Sequence, residues 1–163
     1  MSSGIGNEFA RAYLSRPQHT VIGSIRESAA STPNVDQLKT FVAAPGSKLV
    51  LVTIDAISPT DAQKAIQEVR SQGIEHLDIV ISNIGGSPIP PTPLDTVTAD
   101  EMIAMFQLNA IEHHMLWQVC RPLLRKSSAP KWVTISSILG PLPSFSHFKY
   151  PHLMFLWPQT AYK

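Results

Sequence analysis

The sequence predicts an α/β fold built on a doubly wound, mostly parallel sheet. Three observations predict it. Segments of helical periodicity alternate with short apolar runs along the chain. The apolar runs are near-continuous, as expected of strands covered on both faces. No hairpin turn links one run to the next, so the connections are crossovers. The 163 residues show no internal boundary and no short repeat, and are read as a single domain.

Each element has a local reason. Residues 6–16 place Phe9, Ala10, Tyr13 and Leu14 on one helical face and turn Asn7, Glu8, Arg11 and Ser15 away, with Pro17 as the stop. Residues 19–25 are a β-branched run and form a strand. Residues 27–34 are small and polar and form a turn region. Val35, Leu38, Phe41 and Val42 then recur at helical spacing until Pro45-Gly46. Residues 48–55 are the strongest strand, apolar enough to be buried on both faces. Ser58-Pro59-Thr60-Asp61 supplies a capping hydroxyl, a proline for the first helical position and an acid for the first turn. That helix runs to Gln72 with Ala62, Ala65, Ile66 and Val69 inward, and Gly73 ends it.

Residues 77–82 form another buried strand, followed by a loop rich in glycine and proline over 85–93. Thr98-Ala99-Asp100-Glu101 opens a long helix that ends near Leu124, with Met102, Met105, Phe106, Asn109, Leu116 and Val119 on its period. Residues 132–136 are the fourth strand. Residues 141–161 follow no clean period and form an irregular segment.

Composition excludes several function classes. Thirteen Lys+Arg against twelve Asp+Glu leave no basic stripe for nucleic acid or an anionic membrane. The lone Cys120 excludes an intrachain disulfide and a cysteine zinc cluster, and fits a reducing compartment. No stretch approaches the ~18 apolar residues of a membrane span. The N-terminus, MSSGIGNEF, has neither the basic nor the apolar region of a signal peptide, so a cytoplasmic location is expected.

The polar residues at strand ends are the candidates for chemistry. Gly4-Ile5-Gly6 leads into the first helix, where bare backbone amides can meet a phosphate. Arg26 follows the first strand, where a dinucleotide's adenosine ribose lies in such folds. A cation there favours a 2′-phosphate, hence NADP rather than NAD. Asp55 ends the strongest strand and can cap the next turn or meet an adenine. Asn83 ends the third, at the edge where open α/β sheets bind ligands, and can equally serve an Asx turn into Gly85-Gly86. Asn109 sits mid-helix on the apolar face, which calls for a buried partner. Ser136-Ser137 ends the fourth strand. Tyr150 and Tyr162, with Lys163, are candidates for a proton donor and the cation that stabilises its phenolate. His113-His114 is no metal pair, because adjacent helical residues diverge and no HExxH is present. Cys120 has no evident base and is read as a core thiol.

These edge residues, in this order, resemble the short-chain dehydrogenase/reductase family, whose fold is Rossmann-like. Ser2-Ser3-Gly4-Ile5-Gly6 is similar to the end of the family's Thr-Gly-x-x-x-Gly-x-Gly loop. Ser82-Asn83-Ile84-Gly85 resembles its Asn-Asn-Ala-Gly, with Ser for the first Asn and Ile for Ala. Ser136 to Gly140 preserves Ser-Ser-x-x-Gly. Within the family, the Arg-Pro after the first helix, the Thr-Asp-Ala-Gln helix start and Pro-x-Thr-Ala-Tyr resemble fungal ketoreductases of the norsolorinic acid type.

The resemblance implies reduction of a ketone or other small carbonyl compound with NADPH. Gly4, Ile5, Gly6, Asp55, Asn83 and Gly85 would hold the cofactor, and Arg26 its 2′-phosphate. Ser137 would orient the carbonyl, Tyr162 would protonate the developing alkoxide, and Asn109 would support a proton-relay water. No metal is implied, and homo-oligomerisation is left open.

The resemblance also has departures. The family's first strand and first motif glycine would precede Met1, and the family's Lys four residues after its Tyr has no counterpart. Met154 stands four residues after Tyr150, and Lys163 directly follows Tyr162. The expectation is therefore a reductase chain incomplete at both ends, with little or no turnover from these 163 residues alone. The alternative is an inactive fragment or a non-enzymatic binding module.

Overall fold

The computed structural model describes residues 4–136, apart from 89, 91 and 94. Ser137, Tyr150, Tyr162, Lys163 and the 141–161 segment lie outside the described residues, as do Ser2 and Ser3. The element order is α1 (Gly4–Leu14), β1 (Thr20–Ile25), α2 (Pro33–Lys39), β2 (Lys48–Thr53), α3 (Asp61–Ser71), β3 (Ile79–Ser82), α4 (Ala99–Phe106), a π-helical turn (Gln107–Ile111), α5 (Glu112–Leu124) and β4 (Lys131–Thr134). Among the described residues all strand pairing is parallel, β1 with β2 and β3 with β4. The architecture is the expected Rossmann-like α/β arrangement. The chain divides into two units between Glu75 and His76.

In the first unit, β1 and β2 pair from Thr20↔Lys48 to Ile25↔Thr53. Side chains alternate across a strand, and here both sets are apolar. Val50 and Val52 pack with Ala65 and Val69 of α3, joined by Ile22, Ile54 and Ile74. Leu49, Leu51 and Val21 pack on the other face against Ala10, Leu14 and Leu38 of α1 and α2. The doubly covered strand read from the sequence is β2. Burying each such Val or Leu is worth roughly 1.5–3 kcal/mol, so the two clusters anchor this unit.

Two local expectations are corrected here. Asn7 is not turned away but is 5% exposed. Its Oδ1 accepts from Arg11 Nε at 2.7 Å, and its Nδ2 donates to the Asn34 carbonyl at 3.4 Å. Apolar periodicity alone assigns a polar residue outward and misses such pairing. Helix α3 begins at Asp61 with Thr60 as its cap residue, not at Ser58-Pro59. The Asp61 carboxylate accepts from the Asp55 N–H at 3.2 Å, closing a turn ahead of the helix.

In the second unit, β3 and β4 pair from Ile79↔Lys131 to Ser82↔Thr134. Bonds beyond the ladder extend it, from Lys131 N–H to the Asp78 carbonyl at 2.8 Å and from Ile135 N–H to the Ser82 carbonyl at 2.9 Å. Cys120, Leu123 and Leu124 are the buried apolar residues of α5. The long helix expected over 98–124 is interrupted by the π-helical turn at Gln107–Ile111. Such turns insert one residue and shift the faces that follow. Ahead of that turn, Met102 and Phe106, placed on the inward period, are 47% and 43% exposed, a correction to the expected face of α4, which has no buried residue.

Candidate functional site

In the first unit the candidates gather at α1 and at one end of the β1–β2 ladder. Gly4 opens α1 with φ +62°, a conformation that favours glycine, and among the described residues beyond its own helix and chain neighbours no atom lies within 4 Å of where a Cβ would sit. Ile5 is exposed and Gly6 is buried. The first amides of α1 lack intrahelical partners, and the helix dipole favours an anion there. These residues fit a dinucleotide phosphate. A polar cleft of about 370 Å³ runs along the α1–α2 flank, lined by Gly4, Asn7, Glu8, Arg11, Asn34 and Gln37. Of the predicted residues, only Gly4 lines it.

Parallel pairing brings Arg26 and Asp55 to the same end of the ladder, just past Ile25↔Thr53, and both are exposed. The Asp55 carboxylate accepts from the Ile57 N–H at 3.3 Å, the turn-capping role open to it. Asp61 beside it is held below the usual carboxylate range, first by the Ser58 hydroxyl and then by the Asp55 N–H.

In the second unit, β3 delivers Ser82 into the interior, fully buried, while Asn83 and Gly85 beyond it are exposed. Asn109, on the π-helical turn, is buried and finds its partner in the backbone of Gly86, which is exposed rather than buried. Its Oδ1 accepts from the Gly86 N–H at 2.9 Å and its Nδ2 donates to the Gly86 carbonyl at 3.0 Å. Glycine is needed on the loop for this approach. A Cβ on Gly85, at φ +150°, would stand 3.1 Å from Asn109 Oδ1, and one on Gly86 3.3 Å from Leu108 Cδ2. The structure therefore joins Asn109 directly to the Asn83–Gly86 loop.

One turn further along the same helical run, His113 Nδ1 lies 2.7 Å from Ser82 Oγ. Both side chains are buried, and burial holds the imidazole below its ordinary value, favouring the neutral ring. Sequence reasoning missed this pair. The available signal was the four-residue step from Asn109 to His113, which puts both on one helical face. His114 points elsewhere, stacked on Trp117 and within hydrogen-bond reach of Gln118. Among the described residues no group of three metal-ligating side chains is assembled. Burial pushes the Cys120 thiol up to about 12, so it has no thiolate character at neutral pH.

The family model for short chain dehydrogenases matches residues 1–151. The chain belongs to the short-chain dehydrogenase family. A short-chain dehydrogenase of Neurospora crassa is 44% identical over 141 residues, covering 86% of this chain and 54% of that protein. The norsolorinic acid ketoreductase of Aspergillus parasiticus is 30% identical over 167 residues, covering 99% of this chain and 56% of that protein. The chain thus spans about half the length of these curated family members. The crystal structure of an NADPH-bound carbonyl reductase from chicken fatty liver superposes with a TM-score of 0.83 at 21% identity, covering 98% of this chain and 66% of that one. That likeness establishes the dehydrogenase fold. No helix among the described residues is long and apolar enough to cross a membrane.

Proposed function

We propose that this member of the short-chain dehydrogenase family takes part in NADPH-dependent reduction of a ketone in fungal secondary metabolism. The observation that carries the reading is the pair of hydrogen bonds between Asn109 and Gly86. They tie the helical asparagine to the loop bearing Asn83 and Gly85, the elements that resemble the family's active-site motifs. The norsolorinic acid ketoreductase of Aspergillus parasiticus, at 30% identity, supports a ketone as substrate class.

Each residue has a part under this reading. The backbone amides at Gly4, Ile5 and Gly6 receive the pyrophosphate, and Arg26 pairs with the 2′-phosphate. Asp55 meets the adenine, while Asn83 and Gly85 border the nicotinamide end. Bound NADPH supplies the hydride. Ser137 orients the carbonyl by donating a hydrogen bond, and Tyr162 gives its phenolic proton to the oxygen as charge develops. Asn109 supports a water that passes a proton onward.

The test is cofactor titration of the full chain, followed by nicotinamide fluorescence, with ketone reduction read as loss of NADPH absorbance. NADPH is expected to bind at least about tenfold more tightly than NADH, with Arg26→Ala removing most of that preference. Equal affinity for the two cofactors, or no binding, overturns the reading. Ketone reduction by these residues alone is expected to be slow, and Tyr162→Phe to abolish it while NADPH affinity holds. If Tyr150→Phe does this instead, the proton donor is Tyr150.

A further inference from the structure

We propose that His113 is a positioning residue of the Asn83–Gly86 loop, gripping its upstream end through Ser82 while Asn109 grips its downstream end through Gly86. Both grips come from one helical run, four residues apart, and both start from buried side chains, although Gly86 itself is exposed. Ser82 is 0%, His113 6% and Asn109 5% exposed. The bonded distances are 2.7 Å for Ser82 Oγ to His113 Nδ1, and 2.9 and 3.0 Å for the two Asn109–Gly86 bonds. Between the grips, Asn83 and Gly85 stay exposed. The loop is therefore fixed at its ends and presents its middle outward. Two consecutive glycines give this stretch more freedom than any other pair of residues would, so an unsecured loop would sample many conformations.

The residue at position 82 explains why a histidine is present. Where the family motif has Asn, this chain has Ser, whose hydroxyl is short and fully buried and must find a partner from another element. His113 reaches across from α5 to supply it. The role of His113 in holding the loop stands on geometry alone, whereas the loop's contact with NADPH rests on the function proposed above.

Residue-resolved hydrogen exchange on the full chain separates the two. The reporter is the Gly86 N–H, whose own acceptor is Asn109 and not His113. In Ser82→Ala and in His113→Leu, exchange at Gly86 and its loop neighbours is expected to rise about tenfold, with the double variant no faster than either single one. His113→Asn, whose amide can occupy the place of Nδ1, is expected to return exchange toward wild type. Acceleration spread evenly over β3, β4 and α5, or a Gly86 N–H left as protected as before, overturns the proposal. Ser82→Ala is the smaller change and decides the matter if His113→Leu does not fold. NADPH is expected to slow loop exchange in wild type. If it does not, the cofactor reading fails, while exchange without NADPH still decides the positioning role.

Discussion

In the first unit, six register pairs of β1 and β2 send Val50 and Val52 to one apolar cluster and Leu49 and Leu51 to another. In the second, four register pairs of β3 and β4 end on a buried serine, and Ile79 and Val133 remain 36% and 39% exposed. Both ladders are parallel, but apolar packing on two faces secures the first. Side-chain hydrogen bonds at the strand end secure the Asn83–Gly86 loop of the second. The difference teaches what each can tolerate. Apolar packing is non-directional and suits a platform, whereas polar grips fix one loop geometry and are costly to leave half-made.

The comparison is broken most forcefully by emptying the packed unit. Leu14→Ala removes a side chain that is 1% exposed and packs in the cluster with Ala10 and Leu38. It is expected to cost roughly 2–5 kcal/mol in denaturant unfolding, because the cavity adds to the lost transfer energy. Exchange should rise across the β1–β2 ladder and leave the Gly86 N–H unaffected.

Next comes the polar grip itself. Asn109→Ala takes the side-chain partner from the Gly86 N–H and carbonyl, which are exposed and can turn to water, so it is expected to cost the ordinary net value of about 0.5–1.5 kcal/mol per bond. Asn109→Asp tests direction. A carboxylate can still accept from the Gly86 N–H but cannot donate to the carbonyl, and it carries a charge into a buried position. It should therefore rescue little, as read by the same unfolding and by exchange at Gly86.

The contrast also marks how far the sequence could be read. Strand β2 was legible because residues 48–55 are apolar on both alternating faces, and that pattern has few other solutions. Parallel pairing followed from crossovers without hairpins. The need of Asn109 for a partner was legible from its place on the helical period. The partner was not, because it is a backbone group 23 residues away. Nor was the π-helical turn, which comes from local hydrogen bonding that apolar periodicity does not encode, nor the exposure of Met102 and Phe106 ahead of it. Asn7 was misplaced for a related reason, since its Asn34 partner lies on another helix. His113 was weighed only as one of a pair with His114, while its real partner sits on β3.

A smaller effect separates the two kinds of stabilisation through pH. Burial holds His113 below its ordinary value of 6.5, so the folded protein keeps the ring neutral where the unfolded chain takes up a proton. The unfolded state then binds more protons, and stability falls as pH drops through 6.5 toward the folded value, levelling off below it. His113→Asn has no such group. The difference between wild-type and His113→Asn unfolding midpoints should be constant above 6.5 and should shift against wild type below it.

The mildest test lies at the start of α4, which has no buried residue and depends on its cap. Thr98 Oγ1 accepts from the Glu101 N–H at 3.2 Å, and Glu101 Oε2 accepts from the Thr98 N–H at 2.9 Å. Those Thr98 bonds hold the Glu101 carboxyl below the usual range, the backbone N–H foremost. Thr98→Ala removes the hydroxyl and keeps the backbone donor, so it is expected to cost about 1 kcal/mol, confined to the first turn. Exchange at the Glu101 and Met102 N–H groups should rise, and the Gly86 N–H should not respond. If Thr98→Ala opened Gly86 as widely as Asn109→Ala, the loop would depend on the seating of α4 as a whole. An unresponsive Gly86 leaves the loop's geometry to the Asn109 and His113 bonds further along the helical run, the arrangement that distinguishes this unit from the packed one.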